Sequence, residues 1–194
     1  MSYLDRIVAN SDDREAWLQA RNNGITASNA AKLVSEKSID SIIKSKFYDS
    51  FTGNALTEWG LEREPFLLSW AGFEQNKNLY HAVGEPRFMA TPDGIKEVEG
   101  QKYPLVTCQV KTTSKVMKEI PPHYYRQVQW EMFVMEAVAC VFVVEEHENF
   151  VPINLEPKLW VIERNDEAIA SLTALAKVFL NKLDEANAFE KEMK

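Results

Sequence analysis

The chain has 194 residues, 45% of them hydrophobic, which suffices for one domain with a sizeable core. A formal net charge of −7 counts against a non-specific basic coat for nucleic acid. It still allows a local groove in which a divalent cation supplies positive charge. No apolar run approaches the roughly 20 residues of a membrane span, and no basic-then-apolar leader opens the sequence. Cys108 and Cys140 sit singly in apolar, strand-like runs, so they are expected as buried thiols of a reducing cytoplasm, without a disulfide framework or a zinc site.

There are no repeats or low-complexity tracts, and 1–194 reads as one continuous domain. Asp12 or Asp13 is placed to cap a helix over DREAWLQAR that ends before Asn22-Asn23-Gly24. GITASNAAKLV predicts a second helix with Thr26 or Ser28 at its N-cap. SIDSIIKSKFYDSFTG predicts a third, closed by Gly53. ALTEWGLEREPFLLSWAGF predicts a longer one, which Pro65 should kink or divide. LYHAVGEPRFMATPDGI then breaks into short strands at Gly-Glu-Pro and Pro-Asp-Gly, with Asp93 in the second turn. PLVTCQVKTT is a strand with Leu105, Thr107, Gln109 and Lys111 on one face and Val106, Cys108 and Val110 on the other. The second face is expected toward the core, leaving Gln109 and Lys111 in a cleft. PPHYYRQVQWEMFVMEA predicts a helix, VACVFVVEEH a central strand, LWVIERN a further strand, and the segment from Asp166 onward a terminal amphipathic helix. This order indicates a mixed α/β sheet flanked by helices.

Asp93 followed by X-Lys on a strand is the outline of a metal-dependent nuclease site, with Glu64 as a further acid. Hard oxygen ligands would hold Mg²⁺ or Mn²⁺, joined by the backbone carbonyl of Val110, and Lys111 would orient the attacking water. Taken alone the pattern is common, because turn aspartates and solvated strand lysines abound. His81, His123 and His147 show no zinc spacing and read as surface or loop residues. No G-x-S-x-G elbow and no phosphate loop occur, so neither a serine hydrolase nor ATP binding is indicated.

Four ordered segments resemble the phage lambda exonuclease family: W-x-x-x-R…G-I-T-A-S (Trp17 to Ser28), E-W-G-L-E-R-E-P (Glu58 to Pro65), A-T-P-D-G-I (Ala90 to Ile95) and Y-Y-R-Q-V-Q (Tyr124 to Gln129). The ending V-I-E-R-N-D-E…L-D-E-A is similar too, so the likeness spans nearly the whole chain. It implies a phage-type or YqaJ-like branch of the PD-(D/E)XK nucleases, with a restriction-endonuclease-like core. Matched position by position, Glu64, Asp93 and Gln109 become metal ligands and Lys111 the catalytic lysine. Arg21, Ser28, Thr91 and Gln127 become the pocket for a 5′-terminal phosphate, with donors that suit one. Tyr124 is placed to line the cleft, and Trp17 either stacks on a terminal base or belongs to the core. Gln129 lies about 200° around a helix from Gln127, so it is read as exposed or structural.

The resemblance further implies a Mg²⁺- or Mn²⁺-dependent 5′→3′ exonuclease on double-stranded DNA ends that releases mononucleotides. A toroidal homotrimer, a single-strand annealing partner and a phage or prophage protein in a bacterial cytoplasm are implied with it. The alternatives are an endonuclease or repair nuclease of other polarity, and a catalytically dead DNA-end-binding protein. One position departs from the family: Gln109 stands where it has glutamate. An introduced Glu→Gln exchange is preferred here over natural use of glutamine or a decayed site, because the remaining site residues look intact.

Overall fold

The computed structural model describes residues 2–48, 53–100 and 102–192. A 3₁₀ turn (Tyr3–Arg6) leads into β1 (Ile7–Asn10). Helix α1 (Arg14–Asn22) begins where the Asp13 carboxylate accepts the Ala16 N–H at 3.1 Å. After β2 (Ile25–Thr26) come α2 (Ala27–Ala30), α3 (Glu36–Tyr48) and α4 (Ala55–Trp70). Next are β3 (Asn78–Ala82), β4 (Glu85–Ala90), β5 (Gly94–Glu97) and β6 (Leu105–Thr113). The chain continues through α5 (Pro122–Met135), β7 (Ala137–Glu148), β8 (Val151–Pro152), β9 (Lys158–Glu163) and α6 (Asp166–Glu192).

The strands form two sheets rather than one. The smaller runs β1-β3-β4-β2; the larger runs β5-β6-β7-β8, with β9 also on β7. The pair β6–β7 is parallel, and β5 and β9 flank it antiparallel. Parallel strands need a crossover, and α5 supplies it. As a result β6 is covered on both sides. Leu105 packs with α5 and α6 in the main core, while Cys108 and Val110 pack with Leu67, Leu68 and Phe73 beneath α4. The apolar face packs on a core as expected and Gln109 and Lys111 line a cleft, while on their side of the strand Leu105 and Thr107 are buried. Only its C-terminal half reaches a cleft.

Several local expectations are adjusted. The second predicted helix shrinks to α2, which Thr26 and Asn29 start with a capping box. Pro65 lies within α4 without dividing it. The expected run of the third helix over 49–52 lies outside the described residues. His147 is buried at the end of β7, stacked on Phe150, not at the surface. Both cysteines are buried free thiols. Among the described residues no helix is long and apolar enough to cross a membrane.

Helix α5 is fastened on three sides. Trp130, fully buried, donates its indole N–H to the Met89 carbonyl at 3.0 Å. Truncating it would cost about 3–5 kcal/mol. Gln129, expected as exposed or structural, is structural: it is buried, donating to Glu163 O and accepting from Asn165 N–H. At the C-terminal end, where helix carbonyls lack partners, Arg6 donates to Val134 O and Arg164 to Met132 O.

Candidate active site

Asp93 sits in the turn between β4 and β5. Asn76 holds this turn, its backbone N–H on Asp93 O at 2.7 Å and its amide on Pro92 O at 2.8 Å. Gly94 is required here by close approach, since a Cβ would come within 2.9 Å of Phe73 Cβ. Antiparallel pairing sets Gly94 opposite Cys108, so Asp93 faces the middle of β6. Its Oδ2 accepts the Val110 N–H at 2.7 Å and also the Gln109 side-chain amide.

Gln109, buried, uses both ends of its amide. The nitrogen donates to Asp93, and Oε1 accepts from Gln127 Nε2 at 2.9 Å. Gln127 also donates to Oε1 of Glu131, one helical turn further along α5, at 2.9 Å. Glu131 is 0% exposed, and its Oε2 has no hydrogen-bond partner among the described residues. Lys111 extends to the mouth, its Nζ 5.6 Å from the centre of the Tyr124 ring. Glu64 on α4 accepts from Gln75 at 2.9 Å.

Burial pushes the Asp93 carboxyl up to about 7, and the charge of Glu64 adds to the rise against the opposing pull of Lys111 and the two donors. Burial, followed by the charge of Asp93, pushes Glu131 up to about 8. Mutually repelling carboxylates with an orphan oxygen are a fit donor set for a hard dication. Among the described residues no three His, Cys, Asp or Glu side chains gather tightly enough to hold a metal alone. A cation here would therefore complete its shell with water or substrate oxygens, as Mg²⁺ usually does.

The other end of the same cleft is cationic. Arg21 lies over the Trp17 ring at 4.0 Å and donates to Ser28 Oγ at 3.2 Å. Lys46 stands behind it, its Nζ on Arg21 O at 2.7 Å. Among the described residues no carboxylate pairs with either cation. Burial lowers Arg21 to about 10; burial and then Arg21 lower Lys46 to about 8. Gly24 makes the approach possible, since a Cβ would lie 2.2 Å from Arg87 O. Thr91 lines the cleft with a buried hydroxyl that has no partner among the described residues.

One cavity of about 480 Å³ joins the two ends. Trp17, Arg21, Ser28, Glu64, Thr91, Asp93, Gln109, Lys111 and Gln127, all expected at a site, line it. Tyr124 lies on a neighbouring cavity and packs on His123 and Phe142, and the Val110 side chain points into the small core under α4. Gln127 stands at the carboxylate end of the cleft, joined to Gln109 and Glu131. The sequence reading missed Glu131 and Lys46. An acid within the apolar run VQWEMFVM was the available signal for Glu131.

The sequence model of the YqaJ-like viral recombinase domain matches residues 16–138. The alkaline exonuclease LHK-Exo from Laribacter hongkongensis superposes with a TM-score of 0.69 at 22% identity, covering 92% of this chain and 97% of that one. Its complex with dAMP gives the same score at 21% identity and the same coverage. A phage-related exonuclease from Haemophilus somnus 129PT gives a TM-score of 0.65 at 14% identity, over 88% of this chain and 96% of that one. No curated protein sequence is significantly similar. These structures share the PD-(D/E)XK-like fold of mixed sheets flanked by helices, and the family match covers the cleft-lining residues from Trp17 to Glu131. The chain belongs to the YqaJ-like viral recombinase domain family.

Proposed function

We propose that this protein is a metal-dependent deoxyribonuclease that degrades double-stranded DNA from its ends in the 5′→3′ direction, releasing mononucleotides for phage-type recombination. The carrying observation is one cleft with the carboxylates Glu64, Asp93 and Glu131 and Lys111 at one end, and at the other Arg21, which no carboxylate pairs among the described residues. Two proteins of similar structure are described as exonucleases, which agrees with it.

Asp93 and Glu64 are the residues that would hold Mg²⁺ or Mn²⁺, which when bound polarises a phosphate and acidifies water. Lys111, at the mouth, orients that water and offsets charge developing on the phosphate. Arg21 and Ser28 grip a 5′-terminal phosphate, and Trp17 keeps the guanidinium planar against its ring. Gripping the end fixes which phosphodiester lies over Asp93, so polarity follows from the distance between the two ends of the cleft. The reading extends to a homotrimeric ring, which would retain DNA by topology despite the net charge of −7, and to a single-strand annealing partner.

The test is digestion of a linear duplex with 5′-phosphate ends beside a covalently closed circle, with Mg²⁺ and with chelator. Mononucleotide release from the linear duplex alone, abolished by chelator, is expected. Cutting of the closed circle, or no cleavage of either, would overturn the reading. Light scattering that shows only monomer would remove the ring.

A further inference from the structure

We infer that Glu131 is the carboxylate that position 109 lacks: moved from the strand to the facing helix, it binds the divalent cation of the cleft through its unpaired Oε2. The inference rests on the nuclease reading for what the cation does, but cation binding can be measured separately.

Three observations carry it. First, Glu131 is 0% exposed, lines the cleft, and leaves Oε2 without a hydrogen-bond partner among the described residues. A buried carboxylate oxygen is rarely orphaned unless an ion or water completes it. Second, Gln109 is already engaged as a neutral connector, donating to Asp93 and accepting from Gln127. A glutamate at 109 would set its charge against Asp93 where a donor now lies. Third, Gln127 bridges the two positions from a single amide nitrogen, so Gln109 and Glu131 are parts of one network. Exchanging Glu for Gln on β6 while placing Glu on α5 leaves the negative charge near Asp93 unchanged. On this view Gln109 is neither a disabled residue nor an introduced one. It belongs to a site whose charge sits one hydrogen-bonded step away.

The experiment titrates Mn²⁺ calorimetrically into the wild type, Glu131→Gln, Gln109→Glu and the double variant, with duplex digestion alongside. Each variant is near-isosteric, and circular dichroism verifies folding. The wild type is expected to bind Mn²⁺. Glu131→Gln should weaken binding by about 10–100-fold and cut digestion in parallel, and the double variant should recover much of both. Unchanged Mn²⁺ affinity in Glu131→Gln would overturn the inference and leave the nuclease reading intact. So would a wild type that fails to bind while Gln109→Glu alone gains binding and activity. If neither the wild type nor Gln109→Glu binds the metal or cuts, the nuclease reading falls and the inference falls with it.

Discussion

Nε2 of Gln127 lies 2.9 Å from Oε1 of Glu131, one turn along α5. The same nitrogen serves Gln109 on β6, so a single amide ties helix to strand across the carboxylate end of the cleft. Gln127→Leu removes both bonds and leaves two buried acceptors unpaired. It should destabilise the fold by about 1–3 kcal/mol, read by urea denaturation, and lower nuclease turnover. Unchanged stability would mean that water replaces the amide without cost.

Arg21 holds its place by Trp17 and Ser28 and, among the described residues, not by a carboxylate. Its charge is therefore free to meet an anion. Arg21→Ala should cut the preference for 5′-phosphorylated over 5′-hydroxyl duplex ends by about 10–100-fold, the worth of a charge-assisted bond. Competition between the two labelled substrates measures it. Equal use of both ends by the unaltered protein would dismiss the phosphate assignment.

Lys46 carries a pH signature. Burial, with Arg21 nearby, lowers it from 10.5 to about 8 in the folded chain. Between those values the unfolded chain binds the proton more tightly, so stability rises with pH. The cost of burying the ammonium is fully present below about 8 and is relieved as pH climbs toward 10.5. Comparing melting temperatures of the wild type and Lys46→Met from pH 7 to pH 10 isolates the effect. The gap between them should shrink with rising pH; a constant gap would deny the shift.

Gly94 tests how the Asp93 turn is positioned. Gly94→Ala forces a methyl to within 2.9 Å of Phe73 Cβ and 3.0 Å of Leu68 Cδ2. Overpacking of this kind costs about 1–3 kcal/mol. Because Asp93 is the next residue, activity should fall further than stability alone explains. A variant of wild-type stability with lost activity would place the whole effect in the carboxylate's position.

The carboxylate–lysine strand was readable because two local signals coincide: a Pro-Asp-Gly turn, and alternation that sets Gln109 and Lys111 on one side of β6. That Arg21 and Ser28 come together at the cleft was readable by resemblance. The burial of Leu105 and Thr107 beside Gln109 and Lys111 was not readable, because a strand beside a parallel neighbour is covered on both sides, and alternation does not reveal which end escapes. Glu131 stayed hidden because a lone acid in an apolar helix reads as a solvated stripe. Only the docking of α5 against β6 turns it inward. Lys46 stayed hidden because α3 approaches α1 through tertiary contact, which no local pattern encodes. The carboxylates Glu64, Asp93 and Glu131 thus come from one turn and two helices, and no two of them are neighbours in sequence.

The arginines that close the C-terminal end of α5 come from Arg6 and Arg164, both beyond the 16–138 stretch that defines the family. An excised piece limited to that stretch would keep the cleft residues from Trp17 to Glu131 and lose both anchors. Its helix would fray from the Met135 end, the end toward which Glu131 lies. The portion of the chain that names the family is thus smaller than the portion needed to hold its chemistry still.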